Sequence, residues 1–113
     1  MAILFSANTL AQNAPVRESL LQQANRQFDI QAYAKAVALY QEVLSQNLLP
    51  RPQRQQVLLN VASSYFSLGD QVKAETFYKE ALNEGPFTGP SVIHYLNYAK
   101  ALANNGKMQE SDK

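Results

Sequence analysis

Residues 57–86 read VLLNVASSYFSLGDQVKAETFYKEALNEGP and carry the clearest structural pattern of the chain. Apolar and small residues recur at steps of three and four in the first half, as on one face of a helix: Leu58, Val61, Ala62, Tyr65 and Leu68. The second half has the same kind of spacing: Ala74, Phe77, Tyr78, Ala81 and Leu82. Between them, Gly69 favours the left-handed backbone that ends a helix, and Asp70 can cap the next one. The stretch therefore predicts two helices folded back on each other.

These residues resemble the tetratricopeptide repeat (TPR), a helix-turn-helix unit of about 34 residues. Small residues, aromatics, the turn glycine and the closing proline stand where the family has them: Ala62, Tyr65, Gly69, Ala74, Tyr78, Ala81 and Pro86. Gln71 departs from the family, which often has an aromatic residue just after the turn. The resemblance implies an all-α fold, a TPR-type α-solenoid of antiparallel helix pairs.

The same pattern returns before and after this stretch. Ala24 lies 38 residues before Ala62, and Ala99 lies 37 residues after it. We therefore predict repeats at about 16–50, 54–86 and an incomplete 90–113, within one TPR domain from residue 15 to 113. The corresponding helices are expected at roughly 16–30, 32–46, 52–68, 71–84 and 90–104, the last one stopping at Asn105-Gly106.

A repeat array normally ends with a helix whose outer face is polar, and the sequence shows no such capping helix after the third repeat begins. The packing face of the last predicted helix carries Tyr95, Tyr98 and Leu102. We therefore expect either that the natural product continues beyond Lys113 or that a partner covers these side chains.

Residues 1–14, MAILFSANTLAQNA, carry no charge and begin with an apolar run. Thr9-Leu10-Ala11 offers the small residues that signal peptidase requires, although the basic leading region is missing. We interpret this leader as the remnant of a signal peptide and expect a periplasmic or cell-envelope protein, such as the N-terminal TPR segment of a larger bacterial envelope protein. A cytoplasmic leader is the alternative.

Composition argues against several functional classes. Ten basic and nine acidic side chains leave a net charge of +1, which gives no field that would attract nucleic acid. The chain has no cysteine, and its single histidine, His94, has no partner at metal-ligand or triad spacing. No apolar run approaches the roughly 18 residues that a membrane span needs. We predict a non-enzyme with no catalytic residue, metal, cofactor or small-molecule substrate.

In the TPR family, the first helices of successive repeats line a concave groove that takes peptide segments of partner proteins. The positions that the resemblance assigns to this groove are Leu21, Asn25, Phe28, Asp29, Leu59, Ser63, Phe66, Leu96 and Lys100. Leu21, Leu59 and Leu96 are expected to form one apolar row across the groove, and Phe28 and Phe66 another. Such a patch would favour binding of a protein or peptide partner.

The predicted function is therefore protein-protein interaction through this groove, as part of an envelope assembly. Two alternatives remain. The chain could be a structural spacer of a longer protein, with the groove filled by its own chain, or it could self-associate as a homodimer through the uncapped first helix of the third repeat.

Overall fold

A computed structural model describes residues 18–87 and 92–111. These residues form five helices and no strand: α1 (Leu20–Asp29), α2 (Tyr33–Gln46), α3 (Arg51–Leu68), α4 (Gln71–Asn83) and α5 (Val92–Ser111). α1 pairs with α2, and α3 pairs with α4, while α5 packs on the second pair. The predicted all-α, TPR-type architecture is confirmed. The predicted leader and its cleavage site lie outside the described residues.

Ser19 sets the start of α1. Its Oγ accepts a hydrogen bond from the Gln22 amide at 3.1 Å, and the Gln22 side chain accepts one from the Ser19 amide at 2.9 Å. This reciprocal capping box satisfies amides that have no partner inside the helix. α1 therefore begins at Leu20, later than the predicted residue 16.

The turns within the two helix pairs have matching backbone conformations. Gly69 has a φ of 87° and ends α3, as predicted. Gln31, at the equivalent place 38 residues earlier, has a φ of 65° although it carries a side chain. Asp70 Oδ1 accepts from the Lys73 amide at 3.1 Å and caps α4. Gln31 thus holds a left-handed backbone that glycine adopts more readily.

The core consists of two clusters that share α3. Residues of α1, α2 and α3 form the first: Ala24, Ala36, Val37, Tyr40, Val57 and Val61. The second gathers residues of α3, α4, α5 and the loop after α4: Leu58, Leu59, Ala62, Ala74, Tyr78, Ala81, Phe87 and Ala101. Alanines at the crossings have no exposed surface, which lets the helix backbones approach each other closely.

Side chains near the start of α3 hold the end of α4. Gln55 is buried, and its Nε2 donates to the carbonyls of Ala81 and Gly85 at 3.1 and 2.7 Å. Arg54 Nε forms an ion pair with Glu84 Oε1 at 3.0 Å. Gln55 and Arg54 thus connect the start of α3 to the end of α4 and to the loop that follows it.

The predicted end of the last helix at Asn105-Gly106 is wrong, because α5 continues to Ser111. Gly106 lacks the positive φ that ends α3. Asn105 is buried, and its Nδ2 donates to the Gln71 carbonyl and to Glu75 Oε2, both at 3.1 Å. Asn105 therefore binds the first turns of α4 and does not mark a helix end.

Candidate functional site

A pocket of about 160 Å³ lies between α1 and α3. Two apolar side chains and four carboxamides line it: Leu21, Asn25, Gln53, Gln56, Val57 and Asn60. None of the lining residues is charged. The volume is below the roughly 300–1,000 Å³ of typical small-molecule sites. The pocket therefore fits a single side chain of a protein segment better than a free metabolite.

A chain of hydrogen bonds connects the carboxamides of this pocket. Gln56 Nε2 donates to Asn60 Oδ1 at 3.0 Å, and Asn60 Nδ2 donates to the Tyr40 hydroxyl at 3.0 Å. The Tyr40 hydroxyl donates in turn to Asn25 Oδ1 at 2.6 Å. Burial raises the pKa of Tyr40; the hydrogen bond to Asn60 lowers it, and the nearby Asp29 carboxylate raises it further. Tyr40 therefore stays protonated and keeps one hydrogen to donate.

A related arrangement recurs in the second helix pair. Tyr78 lies 38 residues after Tyr40 and is also fully buried, and its hydroxyl is 3.2 Å from Ser63 Oγ. Burial raises the pKa of Tyr78, while hydrogen bonds to Ser63 and Asn97 lower it. Asn25 and Ser63 occupy equivalent positions, and each binds the tyrosine of its own helix pair.

The predicted groove residues occupy three environments. Four are exposed: Asn25, Asp29, Leu96 and Lys100. Four are half-buried: Leu21, Phe28, Ser63 and Phe66. Leu59 is 2% exposed, because it packs in the cluster that contains Tyr78, Phe87 and Ala101. The expected apolar row through Leu59 is therefore not open, since the chain's own residues cover its middle member.

The expected row of Phe28 and Phe66 also contributes to the fold. The edge of the Phe28 ring meets the rings of Tyr33 and Tyr40, at centroid distances of 5.8 and 6.4 Å. Phe66 packs against the cluster around Leu59. Both rings have partners within the chain, and both keep part of their surface exposed.

Four residues that line the pocket lie outside the nine predicted groove positions: Gln53, Gln56, Val57 and Asn60. The available signal was the spacing of Gln56 and Asn60, because residues four apart in a helix lie on the same side. The hydroxyl of Tyr40 was also missed, since the spacing of Tyr40 indicates only that its ring is buried.

α5 presents a second candidate surface. Its exposed apolar side chains keep between 41% and 80% of their surface accessible: Val92, Ile93, Tyr95, Leu96 and Leu102. The opposite side of α5 packs on the chain itself, where Tyr98 stacks on Tyr78 at a centroid distance of 5.7 Å. Tyr98 therefore has an internal partner, whereas Leu102 remains open.

Within residues 18–87 and 92–106, where side chains are described, no group of three or more His, Asp or Glu residues could hold a metal ion. None of the five described helices is both long enough and apolar enough for a membrane span. His94 is half-buried, and its ring lies edge-on to Phe87 at 6.1 Å. Its Nδ1 is buried without a hydrogen-bond partner in the described part of the chain, and burial lowers the pKa of His94.

Comparison with known proteins gives one informative likeness. The chain is 36% identical over 87 residues to the photosystem I assembly protein Ycf3 of the bacterium Prochlorococcus marinus, a match that covers 71% of this chain and 48% of that protein. The chain thus spans about half the length of the curated relative it matches. No protein-family model matches the chain. No solved structure matches it either.

This likeness overturns the predicted location. A photosystem I assembly protein is not a protein of the periplasm or the bacterial cell envelope, so the expectation drawn from residues 1–14 is wrong. The helix pairs and the equivalent turns at Gln31 and Gly69 agree with the fold that the sequence predicts. The chain has a TPR-like helical-repeat fold.

Proposed function

We propose that this chain is a non-enzymatic assembly module that binds a segment of another protein in the pocket between α1 and α3. The observation that carries the proposal is the pocket itself, which is open, uncharged and lined by hydrogen-bonding side chains. The similarity to a protein named for photosystem I assembly supports a role in building a larger complex.

The proposed binding surface is smaller than the predicted groove. Leu21 and Asn25 line the pocket, whereas Leu59 is covered by the chain's own residues. Asp29 on α1, and Leu96 and Lys100 on α5, are exposed and available for further contacts with the bound segment. The bound segment would therefore make its deepest contact with α1 and the first half of α3.

Co-purification of the protein from its native cells tests this proposal. Gln53→Arg introduces a long charged side chain at an exposed position of the pocket lining. Gln41→Arg makes the same change at an exposed position of α2 outside the lining and is the matched control. We expect partner proteins to be lost with Gln53→Arg and kept with Gln41→Arg. Equal recovery of partners by both folded variants would contradict the proposal.

Self-association through α5 is the second candidate function. The exposed apolar side chains of α5, among them Ile93 and Leu96, form a patch of the kind that usually marks an interaction surface. Sedimentation analysis tests it with Ile93→Glu and the control Ala38→Glu, an exposed position of α2. A dimer mass for the wild type and the control, with a monomer mass for Ile93→Glu, supports self-association. A monomeric wild type would contradict it.

A spacer role is favoured by the burial of Leu59 against Phe87 and Ala101, since the chain itself fills this part of the groove. In a pure spacer, Leu59→Glu destabilises the fold, and no pocket variant changes the set of bound proteins. The co-purification experiment therefore separates the spacer from the assembly module.

A further inference from the structure

We infer that the pocket between α1 and α3 takes the carboxamide of a glutamine side chain from an uncharged segment of the partner protein. This inference rests on the proposed function and specifies the chemistry of the bound segment. The inference is based on the hydrogen-bond chain from Gln56 to Asn25 and on the two apolar side chains that line the same pocket, Leu21 and Val57.

The two ends of the hydrogen-bond chain offer one donor and one acceptor. Asn25 uses its Oδ1 to accept from Tyr40, and Gln56 uses its Nε2 to donate to Asn60. Within the described part of the chain, no hydrogen bond engages Asn25 Nδ2 or Gln56 Oε1. If every bond of the chain ran in the opposite direction, the two ends would exchange roles. One donor and one acceptor would still remain, because the Tyr40 hydroxyl has a single hydrogen.

A carboxamide is the complement of such a pair, since it both donates and accepts. A carboxylate only accepts, and an ammonium group only donates, so each would satisfy one end of the chain at most. Both would also bring a charge to a pocket in which no lining side chain could neutralise it. An apolar side chain would displace water from both ends and form no hydrogen bond.

The apolar side chains of the pocket explain why the carboxamide should belong to a glutamine side chain. Leu21 is half-buried, and Val57 is buried; both line the same pocket as the carboxamides. The two methylene groups of glutamine can pack on Leu21 and Val57 while its carboxamide reaches the polar ends. A backbone amide has no such stem.

Side-chain amide NMR of the full chain tests the inference with three soluble probes: the N-acetyl, N′-methylamide derivatives of glutamine, glutamate and alanine. The alanine derivative contributes backbone amides alone. We expect saturable shifts of the Asn25, Gln56 and Asn60 side-chain amides with the glutamine derivative, and at least fivefold weaker binding of the other two. Gln56→Leu should remove this preference, and Gln41→Leu, the matched control, should keep it.

Three results would overturn the inference: no saturable shift with the glutamine derivative, equal binding of the alanine or glutamate derivative, or an unchanged preference in Gln56→Leu. The proposed function has a separate outcome. If partners are lost with Gln53→Arg but the pocket does not prefer glutamine, only the present inference fails. If the pocket prefers glutamine but Gln53→Arg loses no partner, only the proposed function fails.

Discussion

The hydroxyl of Tyr40 donates a hydrogen bond to Asn25 Oδ1 at 2.6 Å, which connects α2 to α1. Through its bond with Asn60, the same hydroxyl also connects α2 to α3. One buried side chain of the second helix thus holds the first helices of two successive repeats. The pocket lies between those two first helices, so Tyr40 positions the candidate site without lining it.

Tyr40→Phe should lower the free energy of unfolding by about 1–3 kcal/mol, because it leaves Asn25 and Asn60 without their buried partner. Urea unfolding measures the change. Tyr33→Phe is the control, since the Tyr33 ring is only half-buried and the chain shows no hydrogen bond to its hydroxyl among the described residues. Equal stability of Tyr40→Phe and the wild type would show that the hydrogen-bond chain contributes nothing to the fold.

Gln31→Gly should raise the free energy of unfolding by up to about 1 kcal/mol, because φ is 65° at this position and glycine adopts such a backbone without strain. Gly69→Ala replaces a glycine by a residue with a side chain where φ is 87°, and it should lower the free energy of unfolding by a similar amount. A Cβ at Gly69 would meet no atom within 4 Å, so the loss would come from the backbone alone. Thermal or urea unfolding compares the two variants. The two substitutions should change the free energy of unfolding in opposite directions. A loss of stability in Gln31→Gly would contradict the left-handed backbone at Gln31.

Gly106→Ala should raise the free energy of unfolding by about 0.5–1 kcal/mol, since alanine favours a helix interior more than glycine does. Gly106 lies inside α5, and a Cβ there would meet no atom within 4 Å. Circular dichroism during thermal unfolding measures the effect. A loss of stability would instead favour the helix end that the sequence predicts at Asn105-Gly106.

The helix pairs could be predicted from the sequence because each crossing needs a small residue and each pair an aromatic one. Ala24, Ala36, Ala62 and Ala74 meet the first requirement, and all four are fully buried. Gln31 shows that the equivalence of the repeats also holds where the residue type does not match, since its backbone follows that of Gly69.

The candidate site was harder to predict, because equivalent positions in a repeat need not have equivalent neighbours. Leu59 matches Leu21 and Leu96 in spacing, yet it alone of the three is fully buried. It lies on α3, which packs against α2, α4 and α5, whereas Leu96 lies on the last described helix. Asn105 was misread for a similar reason: its side chain binds Gln71 of α4, a contact that no local pattern indicates.

The free energy of unfolding should depend on the protonation of His94 at acidic pH. Burial lowers the pKa of His94 below its ordinary value of 6.5, so the unfolded chain binds a proton at a higher pH than the folded chain does. The contribution of neutral His94 to the free energy of unfolding is fully present above pH 6.5. It is lost as the pH falls through the pKa of His94 in the folded chain. Urea unfolding from about pH 5 to 8, across the ordinary titration range of histidine, should show a weaker acid dependence in His94→Gln. An identical dependence in the variant would show that the folded and unfolded states bind the proton equally.

Site-specific photo-crosslinking in native cells tests the central claim most directly, with the probe at Gln53 in the pocket lining and a control at Gln41 on α2. A discrete adduct to another protein from Gln53, absent from Gln41, is the predicted result, and mass spectrometry of the adduct would identify the bound segment. No adduct at Gln53, or the same labelling from both positions, would contradict a partner-binding site between α1 and α3.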